Sequence, residues 1–162
     1  MEHRIEESID LDVPVRTAYD QWTRFEEFPQ FMSGVREVVQ IDDTHVRWRV
    51  EIAGAERTWT AEIIEQIPDE RIAWATTSGK YNAGVVRFTP LATTRSRLHL
   101  RILYDSDGIA ERLAEALDLT AARVRRELEA FRRHVEMRAS EAEGWRGSVH
   151  HRHVESPARR EP

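Results

Sequence analysis

The sequence predicts an α+β fold: a curved, seven-stranded antiparallel sheet packed on one long C-terminal helix. Three observations carry the prediction. Apolar residues alternate with polar ones through most of residues 35–104, the period of half-buried strands. Short turns separate these runs, so successive strands pair antiparallel rather than through helical crossovers. Beyond residue 108 the apolar spacing becomes four and three and stays so for about 27 residues. A sheet with one polar face needs a cover for its apolar face, and only that helix has enough apolar stripe to provide one.

The elements follow in order. Ile5, Ile9, Leu11 and Val13 alternate with polar neighbours as a first strand, ended by Pro14. Val15, Ala18, Tyr19 and Trp22 then fall at helical intervals, with Pro14 well placed at the helix start. Phe25, Phe28 and Phe31 put aromatic bulk on one face of a second short helical or irregular piece ending near Met32, and Gly34 turns the chain. Val35, Val39 and Ile41 predict the next strand, with Glu37 facing inward between them. Val46, Trp48, Val50 and Ile52 alternate with His45, Arg47, Arg49 and Glu51, apolar in and charged out. Ala53-Gly54 is a hairpin signal. Trp59, Ala61 and Ile63 follow, and the phase then slips to Ile64 and Ile67, the mark of a bulge. Pro68-Asp69 and Ser78-Gly79-Lys80 are turns on either side of Ile72, Trp74 and Thr76. Val86 and Phe88 form the next strand, up to Pro90; Leu98, Leu100, Ile102 and Tyr104 form the last, against Arg97, His99 and Arg101. The long helix carries Ile109, Leu113, Leu117, Ala121, Val124, Leu128, Phe131 and Val135 along one stripe. Residues 140–162 hold few apolar groups beyond Trp145 and Val149 and read as a polar, mobile tail, which leaves residues 1–139 as one domain.

Composition bounds the function. A chain of 162 residues is long enough for one core with an internal pocket. No run approaches the ~20 apolar residues of a membrane span, and the first seven residues lack the apolar core of a signal peptide. The absence of cysteine excludes a disulfide framework, a thiolate metal site and a cysteine nucleophile, and agrees with a cytoplasmic location. A net charge of −5 argues against a broad nucleic-acid-binding surface.

The element order, with particular residues, resembles the helix-grip fold of the START and birch-pollen-allergen (SRPBCC) superfamily. It is most similar to its bacterial polyketide cyclase/dehydrase and lipid-transport family, which includes coenzyme Q-binding proteins. The resemblance rests on Ser8-Ile9-Asp10-Leu11-Asp12-Val13-Pro14-Val15 with Ala18-Tyr19 and Trp22. It continues in Phe25-Glu26-Glu27-Phe28-Pro29-Gln30-Phe31-Met32, in Asn82-Ala83-Gly84-Val85-Val86-Arg87-Phe88-Thr89-Pro90-Leu91, and in the terminal helix, covering residues 3–139. It implies a hydrophobic cavity between sheet and helix for a lipid, an isoprenoid quinone or an aromatic polyketide-like molecule.

The residues expected to line that cavity are Trp48, Trp59, Trp74, Phe88 and Tyr104 from the strands, and Phe28, Phe31 and Met32 from the short helices, with Thr76 as a second hydrogen-bonding group. Aromatic residues on the apolar face of a sheet are plain core more often than pocket lining. Alternation turns His45, His99 and the strand arginines outward; Glu37 and Glu7 are the inward carboxylates, and no acid–base pair emerges. The expectation is therefore a binding protein with no catalytic residue, no cofactor and no metal. Its partner would be a hydrophobic small molecule, with transient membrane-surface contact compatible with such a ligand. A cyclase or dehydratase, and a ligand-free protein-interaction module, are the alternatives. The tract His150-His151-Arg152-His153 has no spaced acidic partner that would make it a metal site.

Overall fold

The computed structural model describes residues 2–52, 54–78, 82–105, 110–138, 147–150 and 152–155, with backbone alone for 2, 52, 105, 110–120, 153 and 155. Strand β1 (Glu2–Leu11) leads through Pro14 into helix α1 (Val15–Trp22) and a 3₁₀ segment (Phe25–Gln30). Six strands follow: β2 (Val35–Gln40), β3 (His45–Ile52), β4 (Ala55–Ile67), β5 (Arg71–Ser78), β6 (Asn82–Ala92) and β7 (Arg95–Asp105). Helix α2 (Ala110–Met137) is 28 residues long, about 42 Å. A short hairpin, β8 (Ser148–His150) and β9 (His153–Glu155), comes last.

The seven main strands pair antiparallel in the order β1-β7-β6-β5-β4-β3-β2. The chain thus meanders from β2 to β7, and β1 closes on β7 through ten paired positions from Glu2↔Asp105 to Leu11↔Ser96. α2 lies on the inner face, where Leu128, Phe131 and Val135 are buried against the sheet and α1. The phase slip in β4 is real: its register against β5 shifts between Ile63 and Glu65. Asp69 takes a left-handed φ of 65° in the turn that follows, a conformation Asp tolerates better than most residues.

Two sequence expectations fail. β2 carries a bulge between Val35 and Glu37, which advances the alternation by one residue. Val38, opposite Trp48, is the buried position of β2, while Ile41 is 53% exposed. Glu37 consequently faces outward opposite Arg49, 3.9 Å from its guanidinium, and is not an inward carboxylate.

The second failure concerns the segment expected to be a mobile tail. β3 ends against β4 at His45↔Glu62, leaving the far half of β4 with an unpaired edge. The β8–β9 hairpin fills it: Val149 pairs with Gln66, the Arg152 N–H donates to the Ile64 carbonyl at 3.1 Å, and Arg152 pairs with Glu62. Val149 is fully buried in the main core, and Val154 packs against it. Trp145 and His151 lie outside the described residues.

Candidate functional site

The register places the inner-face side chains in rows across the sheet. One row runs Ile9, Leu98, Phe88. The next runs Glu7, Leu100, Val86, Ile72, Gln66, and the third Ile5, Ile102, Gly84, Trp74, Ile63. The last runs His3, Tyr104, Asn82. Trp48 and Trp59 face one another across β3 and β4 on the same inner side.

The end near the first row is packed solid. Trp22 makes edge contacts with Phe28, Phe88 and Phe131 at ring separations of 5.2, 6.4 and 5.2 Å. Phe28, 2% exposed, also meets Phe25, Phe31 and Trp48. Phe88, 5% exposed, is wedged between Trp22 and Tyr19. Beneath them the Gln66 amide donates to the Tyr19 hydroxyl at 2.9 Å, so both buried polar groups have partners. Phe31 and Met32 are half-buried against this cluster. Of the residues expected to line a cavity, Phe28 and Phe88 thus stand in the core.

The opposite end is polar and only half-covered by the described side chains. Trp59, Trp74, Thr76 and Tyr104 are all half-buried there. The Trp74 ring covers Gly84, where a Cβ would come within 2.4 Å of it, and its indole N–H donates to Asn82 Oδ1 at 3.3 Å. The Thr76 hydroxyl accepts the Asn82 backbone N–H at 3.0 Å, which leaves its own proton to give. Tyr104 stacks at a tilt on His3, ring centroids 5.3 Å apart. Its hydroxyl is buried with no hydrogen-bond partner among the described residues, and burial pushes its pKa up, so it stays protonated. Chemically this end offers aromatic walls and two hydroxyl donors.

Two titratable groups near the inner face complete the electrostatics. Glu7 projects toward α2 and is met by Arg125 at 3.2 Å, an ion pair that fixes β1 to the helix. His134 of α2 stacks on Phe31 with centroids 4.6 Å apart. Burial, then repulsion from Arg138 and Arg24 against attraction by Glu27, holds its imidazole below the usual histidine pKa. Glu27 itself would be raised by burial, but hydrogen bonds from Gln21 and Arg138, at 2.9 and 2.8 Å, outweigh this and bring it below the ordinary carboxylate range. Sequence reading missed His3 and His134. Both were within reach: His3 shares the odd positions of Ile5 and Ile9, and His134 follows Phe131 by three on the helix stripe.

Comparison with known proteins agrees with this architecture. Residues 11–133 match the family model described as polyketide cyclase/dehydrase and lipid transport. An uncharacterised 17.2 kDa protein of Streptomyces lincolnensis is 43% identical over 147 residues, covering 90% of this chain and 98% of its own. The Zhui aromatase/cyclase from a Streptomyces species superposes with a TM-score of 0.73 at 17% identity, covering 89% of this chain and 99% of that one. A START superfamily protein from Mycobacterium smegmatis does so with a TM-score of 0.69 at 14% identity, covering 83% and 98%. At those identities the two structures speak for the fold alone, which is the START-like, helix-grip arrangement expected from the element order. The family match spans most of the chain, and the protein belongs to the polyketide cyclase/dehydrase and lipid transport family.

Proposed function

We propose that the protein binds and carries a hydrophobic small molecule, a lipid, an isoprenoid quinone or an aromatic polyketide-like compound, held between the sheet and α2 and released chemically unchanged. The observation that carries this reading is the uneven filling of the inner face. Aromatic side chains, Trp48 among them, close one end, whereas Trp59 and Trp74 are only half-buried toward the other, where the Tyr104 hydroxyl is buried without a partner among the described residues. Such a hydroxyl costs about 1–3 kcal/mol when unsatisfied, and a ligand oxygen would recover that. Apolar ligand surface covered by the indoles would contribute about 25 cal/mol per Å². Thr76 and Tyr104 would orient the ligand, and the tryptophans would set its size.

Tryptophan quenching by a series of quinones of increasing chain length tests this. Trp59→Ala and Trp74→Ala should shift the preferred chain length, and Tyr104→Phe should weaken quinones more than alkanes of equal size. If none of the three variants changes binding, the assignment of this end as the site is wrong.

A cyclase or dehydratase is the second reading, favoured by the family description and by Glu7, the inward carboxylate of β1. Its pairing with Arg125 argues for a structural role instead. A polyketide mimic recovered lighter by one water after incubation, with Glu7→Gln abolishing the loss, would establish that reading.

A further inference from the structure

We propose that the groove between the β2–β3 edge of the sheet and α2 receives the anionic head, a carboxylate or a phosphate, of the amphiphile whose apolar part lies within the grip. This rests on the carriage reading and names the class of ligand it would serve.

The groove has a volume of about 500 Å³, within the range of small-molecule sites. Its charged lining consists of Arg36, Arg123, Arg126 and Arg133 against Glu51 and Glu127, a surplus of two positive charges in a protein whose net charge is −5. Both carboxylates are already engaged. Arg36 holds Glu51, with its Nε donating at 3.0 Å. Glu127 accepts from the Ser33 hydroxyl at 3.3 Å and lies 4.0 Å from Arg123. Arg123 is further fixed by donating to the Glu51 carbonyl at 3.2 Å, a position that Gly34 permits because any Cβ there would overlap the guanidinium.

Arg126 and Arg133 are what remains. Around them on α2, Arg125 pairs with Glu7 and Arg132 with Glu129, but Arg126 and Arg133 have no carboxylate partner among the described residues. Seven residues apart, they stand two turns along one helix face, about 10 Å from each other along the axis. Ala130 between them leaves the groove open. A guanidinium is a planar fork that matches a carboxylate or phosphate with two parallel hydrogen bonds. The apolar wall is Phe31, whose ring also meets Phe28 and Phe131 of the core. The groove therefore meets the aromatic core at Phe31, the side chain past which the apolar body of a molecule with its charged head in the groove would enter.

The test compares three fluorescent probes at low salt and neutral pH: cis-parinaric acid, its methyl ester and a pyrene-labelled lysophosphatidic acid. The wild-type protein should bind the acid or the phosphate more tightly than the ester. Arg126→Ala/Arg133→Ala, both exposed positions, should lose about fivefold or more for the anionic probes and leave the ester unchanged. Arg47→Ala/Arg87→Ala removes the same charge from exposed positions on the outer sheet face and should leave all three probes unchanged. The acid and phosphate arms show which head group is preferred. An ester bound as tightly as the acid, or a preference for anions that survives in the groove variant, would overturn the proposal. Failure of the wild-type protein to bind any probe would overturn the carriage reading, and the proposal with it.

Discussion

Gly84 matters because of what lies on it. The Trp74 indole covers the glycine so closely that a methyl group would also approach the Arg101 carbonyl within 2.8 Å. Gly84→Ala should tip the indole off the sheet, break its hydrogen bond to Asn82 and destabilise the fold by about 1–3 kcal/mol, read by denaturant unfolding and a red-shifted tryptophan emission. Alternation announces that Trp74 faces inward, but the need for glycine at 84 depends on the register of β5 against β6, which no single strand discloses. At His134 the ring favours its neutral form in the folded state. As pH falls through the unfolded-chain value near 6.5, the unfolded state takes up the proton first, so the stability present above that pH is lost below it. His134→Phe keeps a ring on Phe31 and removes the titration. Its melting temperature should fall less between pH 7.5 and 5.5 than that of the wild type; equal falls would remove His134 from the account.

At the scale of elements, what was legible in the sequence was what repeats locally. Strands β3 and β7 keep a clean two-residue period, and α2 keeps its apolar stripe as far as Val135, so each follows from its own residues. β2 did not, because Val35-Arg36-Glu37-Val38-Val39-Gln40 allows two phases and the bulge that chooses between them is set by β3. The hairpin β8–β9 was also hidden. Two valines in a polar stretch carry little signal, and the hairpin forms because β4 outruns β3 and offers a free edge far away in the chain. Val149→Ala should therefore cost about 1.5–2 kcal/mol despite its setting among polar residues. It should also speed hydrogen exchange at the β4 amides near Gln66; unchanged exchange there would contradict the docking of this hairpin.

For the molecule as a whole, the residues expected to line a cavity fall in two settings, some packed in the core and others half-buried at the far end of the sheet. Phe28 and Phe88 belong to the aromatic packing that joins α1, the 3₁₀ segment and α2 to the sheet, and Phe28→Ala should cost about 3–5 kcal/mol in stability. Trp59 and Tyr104, both half-buried, should tolerate substitution with small losses in stability and show their effect in ligand retention instead. Periodicity found the inward residues but not this division, because which of them are filled around depends on where the short helices pack. The most direct measurement is native mass spectrometry of the protein purified without detergent, followed by organic extraction of whatever it holds. One hydrophobic molecule per chain is expected, chemically intact and lost from the Trp59→Ala/Trp74→Ala variant. A protein that flies empty, and that takes up no lipid, quinone or polyketide mimic when these are supplied, would contradict it.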